Sequence, residues 1–126
     1  MATVQEALAA ALAHHQAGRL AEAEALYRAV LAAVPGHADA RHLLGVARLQ
    51  AGHAAEAAEH IAAAVAADGS VADYHDNLGS ALKALGRLDE AVAAHRRAVA
   101  LRRDSPQAHF NLGNALEALG RPGEAV

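Results

Sequence analysis

The sequence predicts an all-α solenoid of seven antiparallel helices, built from about three and a half copies of one helix–turn–helix unit. Three observations predict it. Gly18, Gly52, Gly86 and Gly120 fall at a constant spacing of 34 residues, and a fixed period of that size marks a stacked-repeat architecture. Other columns keep the same spacing. Glu22, Glu56, Glu90 and Glu124 lie four residues after each glycine, Ala23, Ala57, Ala91 and Ala125 five after, and Ala11, Gly45, Gly79 and Gly113 seven before. The third observation is composition: 54% of the residues are apolar, most of them alanine, with two Tyr, one Phe and no Trp. Alanine favours helix and brings little bulk, so the chain suits closely packed helices with thin seams. The period divides one domain over 1–126 into repeats at about 4–37, 38–71, 72–105 and a partial 106–126.

The elements follow in order. Residues 3–17 read as a helix that opens on a capping-box pattern, Thr3 with Glu6, and ends at Gly18, which tolerates positive φ. The second helix, 20–34, carries Leu26, Val30 and Leu31 on one stripe and stops at Pro35-Gly36. Helices are expected over 38–51, with Leu43, Leu44 and Ala47 apolar, and over 54–67, ended by Asp68-Gly69. Ser70 or Asp73 is placed to cap the fifth helix, which runs to Leu85 with Leu78 and Leu82 at helical spacing. The sixth spans 88–101. Ser105-Pro106 starts the seventh, serine as cap and proline at the first helical position, and it ends near Leu119. Pro122-Gly123-Glu124 reads as the opening of an eighth. Without it, the stripe of Leu112, Leu116 and Leu119 is expected to lack cover and to favour association at that end; the first helix is a second expected self-association surface.

Bulk properties narrow the function. A net charge of −3 offers no nucleic-acid footprint. No cysteine is present, so disulfide and thiol chemistry are excluded. The N-terminus carries Glu6 in place of a basic region, which speaks against a signal peptide. The longest alanine-rich run, 61–67, is too short to span a bilayer. These points give a cytoplasmic expectation with no membrane partner.

Asn77-Leu78-Gly79-Ser80-Ala81-Leu82 and Asn111-Leu112-Gly113-Asn114-Ala115-Leu116, each followed at the repeat distance by Gly86 or Gly120 and by Glu90-Ala91 or Glu124-Ala125, resemble the tetratricopeptide repeat (TPR) motif. The resemblance covers residues 4–126 and implies a right-handed superhelix whose first helices line a concave surface. Some positions depart from the family pattern. Ala7, Arg41, His75 and His109 stand where the family has a bulky aromatic, and Gly69 and Arg103 stand where Pro35 ends its repeat. Ala10 replaces the leucine found at Leu44, Leu78 and Leu112. The stretches 75–94 and 106–119 are also similar to the N-terminal TPR arrays of bacterial O-GlcNAc-transferase-like (SPINDLY-like) proteins. That similarity implies a substrate-binding role alone, since no glycosyltransferase residues occur.

Chemical motifs are scarce. Nine histidines invite a metal, yet His53 and His60 are two helical turns apart, roughly 10 Å, and His14 and His15 diverge. No metal or other cofactor is expected. His75 and His109 occupy equivalent positions and either approach one another or fill the inter-helix seam. Asp89-Glu90 sits in a first turn, where carboxylates favour the positive end of the helix dipole. No nucleophile elbow or phosphate loop occurs, so no catalytic residue is assigned. Arg96, Arg97, Arg102 and Arg103 lack interleaved aromatics and read as a solvated outer face.

The expected function is therefore binding of a protein or extended peptide in the concave groove. By the resemblance, the groove residues are Leu8, Leu12, His42, Leu43, Val46 and Leu49 in the first two repeats. Asp76, Asn77, Ser80, Lys83, Phe110, Asn111, Asn114 and Glu117 follow in the last two. The first group is mainly apolar and is expected to set affinity; Asn77 and Asn111, one repeat apart, would hold ligand backbone, because an amide donates and accepts at once, unless one of them caps a turn. The array lacks the matching lysines with which chaperone-tail-binding TPRs clamp a terminal carboxylate.

Overall fold

The computed structural model describes residues 3–120. It contains α1 (Val4–Gln16), α2 (Leu20–Ala33), α3 (Ala38–Gln50), α4 (Ala54–Ala67), α5 (Ala72–Ala84), α6 (Leu88–Leu101) and α7 (Pro106–Leu119), and no strand among the described residues. The first helix of each unit starts 34 residues after the last, at Val4, Ala38, Ala72 and Pro106. The 122–124 stretch lies outside the described residues.

Each short turn has a local cause. Gly18, Gly52, Gly86 and Gly120 have φ of +81°, +90°, +77° and +84°, the left-handed region that lets a helix end within one residue. Behind Gly18, Arg19 N–H donates to the His14 carbonyl at 2.9 Å and Gly18 N–H to that of His15 at 3.0 Å. The same pair of bonds recurs at Gly52 and Gly86, so carbonyls that would be orphaned are satisfied. Thr3 and Glu6 form the expected capping box, and Ser105 caps α7 ahead of Pro106. The fifth helix departs from expectation. Its cap is Val71, with no side-chain bond. Ser70 turns back to Asp68, its hydroxyl donating at 2.6 Å, while Asp73 sits in the first turn and meets Arg102 at 3.4 Å. Histidine supplies an unexpected cap at α3, where His37 Nδ1 accepts from Ala40 N–H at 3.1 Å.

Helices pack in chain order, with additional contact between alternate ones, α3 with α5 and α5 with α7. The seams are thin, as the alanines require. Ala11, Ala23, Tyr27, Leu44 and Ala47 close the first three helices. Ala57, Ala58, Ala81, Leu82, Ala91 and Ala94 close the middle. Val92, Ala115 and Leu116 join α6 to α7. Leu44, Ile61 and Leu116 are fully buried, and each contributes about 1.5–3 kcal/mol relative to exposure. The expected bare stripe on α7 is thus partly covered: Leu116 packs on Val92, with Leu112 and Leu119 against the same cluster. Gly45 and Gly79 mark the closest approaches. A Cβ on Gly45 would fall 2.5 Å from Ile61 Cγ1, and one on Gly79 2.5 Å from His95 Nε2.

Candidate functional site: the inner row of first helices

The first helices form an inner row, α1, α3, α5 and α7, and polar bonds tie α1 to α3 and α3 to α5. Each bond joins residues 35 apart, one more than the repeat. His15 Nε2 donates to Gln50 Oε1 at 2.6 Å, the Asn77 amide donates to His42 Nε2 at 2.8 Å, and the Tyr74 hydroxyl donates to Asp39. Tyr27, buried in the first seam, extends one of them, its hydroxyl 2.8 Å from His15 Nδ1. A relay thus runs from α2 through α1 to α3. The rings of His42 and Tyr74 also lie tilted at 4.6 Å. Burial holds the His42 imidazole below its ordinary value, against the opposing pull of Asp39 and Asp73. Burial, with the bond and charge of Asp39, pushes the Tyr74 hydroxyl well up. Both groups are therefore neutral near pH 7, as their bonding requires.

These bonds redistribute the residues that sequence reasoning placed in the groove. His42 is 7% exposed and committed to Asn77. Leu8 and Leu43 pack on the Tyr27–Leu44 cluster, and Leu49 on the Ala57–Leu82 cluster; Leu12 and Val46 are half-buried. The apolar end of the row is mostly core edge, because alanine seams need the leucines to fill them. Asp76 accepts from the buried His95 Nδ1 at 2.9 Å, and the Ser80 hydroxyl donates to the Asp76 carbonyl at 3.2 Å. Asn111 Oδ1 accepts from Gln107 at 2.9 Å. Asn77 and Asn111 thus each bond a side chain of this chain, and neither caps a turn. Lys83, Phe110 and Glu117 are exposed and Asn114 half-buried. Phe110, at 63% exposure, is the most open of the exposed large apolar residues.

Sequence reasoning missed Tyr27, Tyr74, His15, Gln50, Asp39 and His95. For His15 with Gln50 and Asp39 with Tyr74 the available signal was a separation of one repeat plus one residue, which differs from the strict column spacing; Tyr27 and His95, 12 and 19 residues from their partners, carried no such signal. The histidines that stand for the family aromatic do not meet one another. His75 Nε2 donates to the Gly69 carbonyl at 2.9 Å and His109 Nε2 to that of Arg103 at 2.6 Å, while Arg41 reaches the Pro35 carbonyl at 3.4 Å. The column fastens α3, α5 and α7 to the turn six residues upstream. His75 is also buried in the seam, whereas His109 is exposed. Among the described residues, no three His, Asp or Glu converge on a metal-sized site, and no helix is long and apolar enough to cross a membrane.

Comparison with known proteins fits this architecture. The tetratricopeptide repeat family model matches residues 14–85, and a second TPR repeat model matches 79–120. The chain belongs to the tetratricopeptide repeat family. Among solved structures it is similar to an O-GlcNAc transferase mutant from Thermobaculum terrenum, at 32% identity and a TM-score of 0.87, covering 92% of this chain and 23% of that one. A MamA structure (AMB-1) matches at 27% identity and 0.80, over 98% of this chain and 68% of that one. The first TPR of Spaghetti (RPAP3), bound to the HSP90 peptide SRMEEVD, matches in fold at 22% identity and 0.89, over 93% of both chains. No curated protein matches the chain.

Proposed function

We propose that this chain is a protein-interaction module, one TPR domain over 1–126 acting in the cytoplasm, that holds an extended peptide or partner segment along its inner row and performs no catalysis of its own. The observation that carries this reading is the set of groups left presented on α5 and α7. Phe110 offers an aromatic face at 63% exposure, Asn114 an amide, and Lys83 and Glu117 opposite charges. An aromatic takes an apolar side chain, an amide pairs with backbone, and opposite charges set direction. The tied polar pairs of α1, α3 and α5 give that surface a rigid support. The Spaghetti TPR, similar in fold, is bound to a peptide, which supports a peptide-holding role; without lysines for a carboxylate clamp, the SRMEEVD tail serves here as a negative control. The test is to select peptides from a random display library and measure their affinity by fluorescence anisotropy. Phe110→Ala and Lys83→Ala should weaken binding while Arg97→Ala leaves it unchanged; loss on Arg97→Ala alone would sink the reading.

A second reading is favoured by the 32% identity to the Thermobaculum transferase: the chain is the substrate-recognition segment of a longer O-GlcNAc-transferase-like enzyme. It predicts a glycosyltransferase domain downstream in the same reading frame, which the genomic sequence decides. In self-assembly, the remaining alternative, a second copy occupies the inner row, and mass by light scattering would rise with concentration and fall on Phe110→Ala.

A further inference from the structure

The packing of the second helices is closed differently along the array. Between α2 and α4 an ion triad closes the junction. Arg48 Nη1 lies 3.4 Å from both carboxylate oxygens of Glu24, and Nη2 lies 3.2 Å from Glu56. Arg48 and Glu24 are largely buried there, with side chains 17% and 15% exposed. Between α6 and α7 apolar bulk closes it, Val92 on Leu116. The middle junction, between α4 and α6, has no ion triad; small buried residues with Leu82 close its inner part. One repeat on, Glu24 becomes Ala58, Arg48 becomes Leu82, and Glu56 becomes Glu90. The small Ala58 leaves an open cleft of about 310 Å³, floored by Ala58, Ala62, Leu78 and Leu82 and edged by Glu59, Glu90 and Arg87. Of the triad only the Glu56 carboxylate is retained, as Glu90; Glu24 and the cation give way to apolar residues, and a second carboxylate, Glu59, stands beside Ala58. Arg87 partly compensates, gripping Glu90 at 2.6 and 3.0 Å, but that pair is more than half exposed. Glu59 makes no ion pair among the described residues.

We propose that this cleft binds an arginine side chain of a protein partner. Its aliphatic stem covers Leu78 and Leu82, and its guanidinium lies between Glu59 and Glu90, as Arg48 lies between Glu24 and Glu56. The chain's own triad shows a guanidinium held between carboxylates of successive second helices. A planar fork of five donors bridges two carboxylates, which a lysine point charge does less well. The surface is on the outer side, separate from Phe110 and Lys83, so it stands independently of the inner-row reading.

The test is an NMR titration of the ¹⁵N-labelled chain with Nα-acetyl-arginine methylamide, against the lysine and norleucine counterparts. Saturating shifts are expected at the amides of Ala58, Glu59, Leu82 and Glu90, strongest for the arginine compound and reduced by salt. Glu59→Gln with Glu90→Gln, both at exposed positions, should weaken binding roughly three- to fivefold. Leu82→Arg should abolish it by supplying the missing cation from within; if that variant fails to fold, the glutamine pair decides. Shifts elsewhere, arginine no stronger than norleucine, or affinity unchanged in the glutamine pair would each overturn the proposal.

Discussion

His42 and Asn77 meet at 2.8 Å across α3 and α5, and the bond requires an unprotonated imidazole, since the amide nitrogen donates and Nε2 accepts. The pair is shielded beneath Tyr74. It joins two repeats through side chains, so the contact between units carries polar specificity as well as apolar area.

Acid should therefore loosen the array. Burial holds His42 below the ordinary 6.5, and burial followed by the charges of Arg41 and Arg28 does the same for His60. Folded-state values below the unfolded ones mean that the unfolded chain binds more protons. Stability is then complete above the unfolded value and is lost as pH falls through the folded values. Thermal melts should shift downward between about pH 7 and pH 5, and His42→Gln should flatten that dependence. An equal slope in wild type and variant would remove His42 as a cause.

How much of this was legible in the sequence follows from what sets each feature. The turns were legible because Gly18, Gly52 and Gly86 answer to local backbone geometry. Val71 was not, because Ser70 had a competing partner in Asp68 only two residues away. The site was less legible than the fold. Column spacing places Asn77 and Asn111 as equals, yet each bonds to something different: His42 lies opposite Asn77, whereas Asp76 opposite Asn111 is drawn away by His95. Those differences come from tertiary neighbours at a spacing of 35, which a search for a period of 34 passes over.

Gly79 and Gly45 should resist even a methyl group, for different reasons. The atoms nearest a Cβ on Gly79 all belong to the His95 ring, whereas Gly45 also faces the Ala57 carbonyl oxygen at 3.1 Å. Overpacking of this kind costs roughly 1–3 kcal/mol. Truncating the obstacle should rescue one site better than the other. In a His95→Ala background Gly79→Ala should cost little, while Ile61→Ala should leave much of the Gly45→Ala penalty, because backbone cannot yield as a side chain does. Chemical denaturation of the two double-mutant cycles measures the coupling.

The Tyr27 relay makes a narrower prediction. Tyr27→Phe keeps the buried ring and removes the donor to His15 Nδ1, so stability should fall by about 0.5–1.5 kcal/mol. Gln50→Ala, at the exposed end of the relay, should cost less. A larger loss for Gln50 than for Tyr27 in urea melts would show that the relay is anchored from the opposite end.

The inner row separates binding residues from building residues, and the separation is measurable. Asn77 bonds His42, so Asn77→Ala should lower stability by about 0.5–1.5 kcal/mol and alter ligand binding only slightly. That is the reverse of its expected role as a ligand ladder. Phe110 is 63% exposed and supports little of the core, so Phe110→Ala should leave the melt unchanged. If its ring takes an apolar ligand side chain, losing about 1.5–3 kcal/mol of contact corresponds to roughly ten- to hundredfold weaker binding. Lys83→Ala should have a smaller effect, up to about fivefold, that disappears at high salt. Melting curves and anisotropy titrations on the same three variants decide the matter. If Phe110→Ala changes stability but not affinity while Asn77→Ala does the opposite, the assignment of the two residues is inverted and the ligand lies along α3 and α5.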